Sequence, residues 1–553
     1  MYHLKEYDFN NEWMDTMSSL MKGTAILTLG MFLSKVLGLI YIFPFYAIVG
    51  EENIALYQYA YIPYSIMLAI AISGAPIAVS KFVSKYNSMG DYQSGRKLMK
   101  SGILIMLVTG FLSFIALFML ATPIAGLVIK SEEQVFTVEQ IASVIRWVSF
   151  ALIVVPFMSL WRGFFQGYGK MQPTAVSQLV EQIVRIVVLL GGSFLVVIVF
   201  KGSPLTAISF AVFAAFIGAI GGLVVLFYYW KKYQPEFNLL RSQSVTSTQL
   251  PMSSIYKEVI TYSIPMVFVG IANPLFQLVD MLTFNGAMKS IGLAAVTDKY
   301  LSMLNFTTHK VVIIPVMLAT GFSMALVPTI TKYFTQGEYL SLRQAMDKTY
   351  QILIFITLPA VVGISLLANE IYFVLYSQSE MGASILAHYA PVAILFALFQ
   401  VTAALLQGID FQKWIVFSLL SGIFVKLAIN IPLIRMMEAD GAILATAIGY
   451  GVSILINMLV LKKTLNYKSK MVVRRVMLIV ILTVTMAISV LGAYKLLEVV
   501  LGPVDSKFTA LIFSVVCSTV GIVVYGYLSL RLGLAQKLLG ERLTRFTSKL
   551  GFK

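Results

Sequence analysis

Two stretches of this sequence, Ser101–Ile129 and Ser203–Trp230, run without a single charged side chain. Each is long enough to cross roughly 30 Å of hydrocarbon as a helix, which takes about 20 apolar residues. Inside hydrocarbon the backbone must satisfy its own hydrogen bonds, so only helices or a closed barrel can span. The apolar residues come in unbroken runs and not in alternation, which selects helices. Composition agrees. Of 553 residues, 59% are hydrophobic and only 12% charged, against about 25% charged in a soluble domain. The sequence therefore predicts an all-α integral membrane protein and not a soluble enzyme.

Fourteen spans are expected, near 24–49, 57–84, 99–129, 137–161, 174–200, 204–230, 257–286, 302–330, 349–377, 384–408, 413–435, 440–461, 472–497 and 508–530. The connections between them alternate in charge. One set holds Lys81, Lys85, Arg96, Lys97 and Lys100; Lys231, Lys232 and Arg241; Lys332, Arg343 and Lys348; and Lys462, Lys463, Lys468, Lys470, Arg474 and Arg475. The other is acidic: Glu51 and Glu52, Glu132, Glu133 and Glu139, Glu370 and Glu380, Glu438 and Asp440, Glu498 and Asp505. Cytoplasmic loops carry the excess Lys and Arg, so both termini are expected in the cytoplasm, with the chain in the cell membrane.

The net charge of +16 is thereby mainly topology, and nucleic acid is not expected as a partner. The tail Arg531–Lys553 is basic with spaced leucines and is expected on the anionic inner leaflet. The opening Met1–Lys22 has mixed charge and does not read as a cleavable signal. The single Cys517 excludes an intramolecular disulfide, and His3, His309 and His388 lie too far apart in sequence to suggest a metal site.

A repeat organises the chain. Tyr86 to Gly90-Asp91-Tyr92 with Arg96 matches Tyr333 to Gly337-Glu338-Tyr339 with Arg343. Further on, Gln166-Gly167 and Arg185 match Gln407-Gly408 and Lys426 at one common offset. The separation covers six spans, an even number, so the two copies keep the same orientation. Two parallel six-helix bundles plus two C-terminal helices are expected, a transporter architecture. The boundaries are a cytoplasmic N-terminal segment 1–23, a first lobe 24–230, a cytoplasmic linker 231–256, a second lobe 257–461, two added helices within 472–530 and a basic tail 531–553.

Charge at bilayer depth costs at least about 2.5–3.5 kcal/mol at a helix centre, so such residues face a cavity or a partner. Here the deep charges are mostly basic. Lys35 lies about eleven residues into span 1, or roughly 16 Å at 1.5 Å per residue. Arg185 is midway in span 5, Lys310 in span 8 and Lys426 in span 11. Arg146 and Arg162 lie towards opposite ends of span 4. Uncompensated cations need an anion, and a substrate phosphate would supply one. The competing readings are structural: Glu181 is four residues before Arg185, in the favourable pairing order, while Arg146 and Arg162 could snorkel to the interfaces. His309 and His388 read as satisfied polar groups. Asp280, Asn430 and Thr446 offer carboxylate, amide and hydroxyl oxygens at similar expected depth, a donor set suited to a hard cation. Lys426, one turn from Asn430, offers an internal ion pair with Asp280 instead.

Three stretches resemble the MurJ family of lipid II flippases, in the mouse-virulence-factor branch of the multidrug/oligosaccharidyl-lipid/polysaccharide superfamily. Span 1 carries Met31-Phe32-Leu33-Ser34-Lys35-Val36-Leu37-Gly38, similar to the family's M-F-S-R-V-L-G signature. Span 8 carries Lys310, Pro315, Gly321 and Val327-Pro328-Thr329, and the loop after span 2 carries Lys85-Tyr86 and Gly90. The resemblance covers the whole chain and is nearest the Gram-positive-type members. It implies a cationic cavity that binds a diphosphate-sugar headgroup, with lipid II as cargo, and a groove of spans 13 and 14 for the polyprenyl tail. Peptidoglycan biosynthesis is the implied process, with cell-wall synthesis machinery a further partner. The family's Arg-Asp after the signature is replaced here by Leu39, Ile40, Tyr41 and Ile42, which turns attention to Arg146, Arg162 and Arg185. Some members hold sodium through an acid on span 7 and oxygens on spans 11 and 12; Lys426 stands where one oxygen is expected.

No phosphate-binding loop of the G-x-x-x-x-G-K-[ST] type occurs. No cofactor is expected, and the drive is left to a coupling cation or the membrane potential. The rivals are an exporter of other polysaccharide lipids or of drugs, and a membrane glycosyltransferase. A drug-cation exporter predicts deep acids. A glycosyltransferase predicts an acid pair or close histidines near a membrane face.

Overall fold

The computed structural model describes residues 30, 33–72, 75–244, 264, 267–467 and 470–539, with the side chains at 75, 77, 78, 318–328, 470–473 and 539 outside the description. The expected N-terminal segment 1–23, the linker beyond 244 and the tail beyond 539 lie outside the described residues, as do Met31, Phe32, Gly74 and Pro265 and the side chains of Val327 and Pro328.

The described residues are helical, with no strand among them. Ten of their helices are long and apolar enough to cross a membrane. The chain divides into two compact units, one comprising residues up to Ile129 with Phe136–Pro274, the other Lys130–Val135 with Leu275 onward. In the first unit the helices are α1 (Leu33–Val49), α2 (Ile54–Ile72), α3 (Ala75–Ser88), α4 (Tyr92–Val128), α5 (Val138–Gly167), α6 (Gln172–Val199) and α7 (Pro204–Ser242). Helix α7 runs on past Trp230, so the start of the expected linker is helical. The division at Pro274 also falls inside the expected seventh span and not at its start. Pro274 sits in the first turn of α8 (Ala272–Lys289), where a missing N–H costs nothing; from Phe276 on, its side chains pack into the second unit.

The second unit continues with α9 (Thr297–Ser302), a π-helical turn Met303–Thr308, α10 (His309–Thr335), α11 (Tyr339–Leu366), α12 (Ala368–Leu375), α13 (Glu380–Gly408), α14 (Gln412–Leu465), α15 (Lys470–Leu501), α16 (Lys507–Arg531) and α17 (Leu534–Leu539). Helix α14 holds two expected spans. A straight helix would separate Gly422 from Gly449 by roughly 40 Å. Instead a Cβ on Gly422 would lie 2.3 Å from the Gly449 carbonyl oxygen. The chain reverses at Glu438, whose φ of 54° and ψ of −126° break the helix. Gly441 is required just after, because a Cβ there would meet the Leu433 carbonyl at 2.1 Å.

The sequence repeat is a repeat of backbone geometry. Gly90 and Gly337 both have φ 71°. The amide of Asp91 donates to the Tyr86 carbonyl and that of Glu338 to the Tyr333 carbonyl, each at 2.9 Å. These six-to-one bonds close α3 and α10 with a left-handed glycine, then start the next helix. The paired arginines then tie that helix down alike: Arg96 Nη1 donates to Asn238 Oδ1 on α7 at 2.7 Å, and Arg343 Nε to the Leu465 carbonyl of α14 at 2.9 Å. After Gln166-Gly167 and Gln407-Gly408 the left-handed residue is Gly169 in one copy and Asp410 in the other, with φ 71° and 66°.

Candidate functional site

In the first unit the polar side chains gather on one stripe of α6: Gln178, Glu181, Gln182 and Arg185, each three or four residues from a neighbour on that face. Helix α7 meets α6 with Gly218, Gly221 and Gly222. A Cβ on Gly218 would stand 2.8 Å from the Cβ of Arg185, and one on Gly222 3.2 Å from that of Glu181. Small residues let helix backbones approach closely in lipid, where packing and not water exclusion holds helices together.

Glu181 does not take the partner its spacing offers. Its carboxylate receives Arg162 Nη2 at 2.7 Å, and Arg162 also donates to Ser177 Oγ at 2.8 and 3.2 Å. Arg162 is thus held inside the unit and does not snorkel. Arg185 turns to phenols instead. Its Nη2 donates to the Tyr57 hydroxyl at 3.1 Å, which is 3.1 Å from the Tyr41 hydroxyl. Its guanidinium lies 5.8 Å from the Tyr61 ring, and Tyr57 and Tyr61 stack at 5.8 Å. Its Nε is buried without a hydrogen-bond partner. Phenols and rings stabilise a guanidinium without cancelling its charge.

Lys35, on α1, is exposed and makes no ion pair with a described residue. Arg146 is held elsewhere, donating to Thr122 Oγ1 at 2.9 Å with its guanidinium 5.6 Å from the Phe118 ring. The tyrosines are what sequence reasoning missed. Their signal was legible, since Tyr57, Tyr61 and Tyr64 share one helical face of span 2.

In the second unit Lys310 is half-buried with its ammonium 5.4 Å from the Phe306 ring. It follows the π-helical turn, a distortion that recurs at functional sites. His309 Nδ1 is 3.0 Å from the Tyr389 hydroxyl, and His388 Nδ1 is 2.9 Å from Asp440 Oδ1, so both histidines have partners. Asp280, Asn430, Thr446 and Lys426 do come together. The Lys426 ammonium reaches Asp280 Oδ2 at 2.7 Å and Thr446 Oγ1 at 2.8 Å, and Asn430 Nδ2 donates to Asp280 Oδ1 at 3.1 Å. Of the two arrangements open from the sequence, the internal ion pair is the one present.

Helices α11, α15 and α16 line an open apolar cavity of about 550 Å³, with Phe355, Pro359, Gly363, Met486, Tyr525 and Gly526 among its walls. Glycines at 363 and 526 leave the space open, since a Cβ on either would meet nothing within 4 Å. A smaller cavity of about 370 Å³ lies beside His388 and Asp440.

The polysaccharide biosynthesis protein family matches residues 20–334. Over 537 residues the chain is 46% identical to the lipid II flippase MurJ of Bacillus subtilis, covering 96% of this chain and 99% of that one. The chain belongs to the MurJ family. Among solved structures, a lipid II flippase MurJ in an inward closed conformation superposes with a TM-score of 0.62 at 15% identity, over 93% of this chain and 99% of that one. An inward-facing multidrug resistance MATE transporter also superposes at 0.62, with 13% identity, over 80% of this chain and 98% of that one. At such identities the two structures speak for the fold alone. The fold is that of a multi-pass MurJ- and MATE-like membrane transporter.

Proposed function

We propose that this chain is a lipid II flippase: a transporter, and not an enzyme, that moves the undecaprenyl-diphosphate-linked peptidoglycan precursor from the inner to the outer leaflet by alternating access. The observation that carries the reading is the end-to-end likeness to the Bacillus subtilis flippase, 46% identical over 96% of the chain. Fold alone does not separate this from drug export, because MATE transporters share it. The sign of the deep charge favours an anionic cargo. In the first unit Glu181 neutralises Arg162, while Lys35 and Arg185 have no carboxylate partner among the described residues.

In this reading Arg185, aimed by the Tyr57 hydroxyl, and Lys35 hold the pyrophosphate. Within the second unit Lys310 is kept as a cargo-binding cation, and the apolar cavity of α11, α15 and α16 receives the polyprenyl tail. Arg162 positions α6 rather than touching the cargo, and Arg146 anchors its own helix end. A potential negative inside favours outward movement of an anion by about 2.3 kcal/mol per charge per 100 mV, so two phosphate charges supply a drive without a nucleotide. The Lys and Arg distribution supports a plasma-membrane location with both termini in the cytoplasm, where the enzymes that make the precursor would hand it over.

The test is depletion of the protein in cells, followed by an assay of which leaflet holds lipid II. The precursor should accumulate in the inner leaflet and return outward when wild-type protein is restored. Lys35→Glu should leave folded protein in the membrane and fail to restore export. Outer-leaflet lipid II at normal levels during depletion would overturn the reading.

A further inference from the structure

The resemblance raised a sodium ion among Asp280, Asn430 and Thr446, and the donor set here does not fit one. Lys426 is fully buried, and its three ammonium protons each have an acceptor: the Phe276 carbonyl at 2.9 Å, Asp280 Oδ2 at 2.7 Å and Thr446 Oγ1 at 2.8 Å. An ammonium has no lone pair to give a metal, and at these distances it fills the space the three oxygens share. The remaining groups are set for it. Thr446 donates its own proton to the Ala442 carbonyl at 2.8 Å, leaving a lone pair for Lys426. Asn430 turns its amide nitrogen, not its oxygen, to Asp280 Oδ1 at 3.1 Å and to Thr283 Oγ1 at 2.8 Å. One carboxylate and one ammonium balance, so an added sodium ion would be a buried charge with no counter-charge here, which is costly.

The packing brings the lysine stem to this place. The two halves of α14 cross at Gly422 and Gly449, and a Cβ on Gly449 would stand 3.2 Å from the Cβ of Lys426 and 2.8 Å from the Phe276 ring. Phe276 stacks on Tyr450 at 4.1 Å and lies 5.5 Å from the ammonium, closing one side.

We infer that the Lys426 ammonium is a tethered monovalent cation, held among Asp280, Thr446 and the Phe276 carbonyl in the place a free ion would take, so that the second unit is completed without bound sodium. A free ion stabilises a protein in proportion to the logarithm of its concentration. A covalently tethered one does so at any concentration. The inference does not rest on the lipid II reading, and its test requires no transport.

Full-length protein in nanodiscs is unfolded by heat in sodium, potassium or choline chloride at equal ionic strength. The wild type should show the same midpoint in all three, within about one degree. Lys426→Ala should unfold lower in choline and be raised by several degrees, saturably, in sodium or potassium. Adding Asp280→Asn to Lys426→Ala should abolish that recovery. If Lys426→Ala fails to fold, the neutral pair Asp280→Asn/Lys426→Met keeps the test, since it should fold and ignore the cation. A saturable sodium-specific rise in the wild type would overturn the inference. So would a folded Lys426→Ala that does not respond to either metal ion, or a neutral pair that does.

Discussion

Replacing Arg162 by Met tests how the first unit keeps Arg185 available to a phosphate. Arg162 Nη2 and Glu181 Oε2 are 2.7 Å apart, with side chains 12% and 21% exposed. Removing one partner of a fully buried pair costs about 3–5 kcal/mol. Partial access to solvent discounts this to about 2 kcal/mol. The stranded Glu181 then lies four residues before Arg185, the favourable order for pairing on a helix. It should turn to Arg185, and the headgroup must displace it. A hydrogen bond to a charged group is worth about 1.5–3 kcal/mol, so apparent affinity should fall by roughly ten- to a hundredfold. Adding Glu181→Gln removes the competitor. The double variant should regain export but not the lost stability. The assay is lipid II export in cells depleted of their own flippase, beside the thermal midpoint of purified protein. If Arg162→Met/Glu181→Gln exports no better than Arg162→Met, Glu181 does not compete for Arg185 and the reasoning is wrong.

Gly526→Leu places a side chain in the apolar cavity, where an added Cβ meets nothing within 4 Å. Helix propensity improves by up to about 1 kcal/mol, so the thermal midpoint should hold or rise while export of full-length lipid II slows. A short-tailed analogue should be exported as before, and equal slowing of both would place the defect outside the tail. Asp410→Gly relieves a left-handed φ of 66°, which costs an L-residue about 1–2 kcal/mol; the unfolding free energy should rise by about 1 kcal/mol, and a fall would mean the Asp410 side chain matters more than its backbone. Gly449→Ala would bring a Cβ to 2.7 Å from the Gly422 carbonyl and 2.8 Å from Phe276. Overpacking of this kind costs about 1–3 kcal/mol, and a denaturation midpoint equal to wild type would show that the crossing of α14 is looser than described.

Much of the fold was legible because lipid simplifies the code. An unbroken apolar run such as Ser101–Ile129 satisfies its backbone in hydrocarbon as a helix, and all of it but the last residue lies within α4. The repeat was legible for a different reason. Gly90 and Gly337 sit where only a left-handed residue ends the helix, so the glycine marks the geometry directly. Span ends were less so: α7 continues as a helix to Ser242, beyond the charge-free run that ends at Trp230, since charged and polar residues propagate a helix once it is started.

What the sequence decided by itself was therefore the solvent, the helical class, the alternation of loop charge and the roll of deep basic residues. Only the tertiary structure decided which of them are neutralised. Glu181 is four residues from Arg185 and nineteen from Arg162, yet it pairs with Arg162. Asp280 and Lys426 are 146 residues apart and 2.7 Å from each other. Pairing depends on which helix faces meet, and that is set by glycine contacts such as Gly218 of α7 against Arg185 of α6 and Gly422 against Gly449, whose outcome no local spacing encodes.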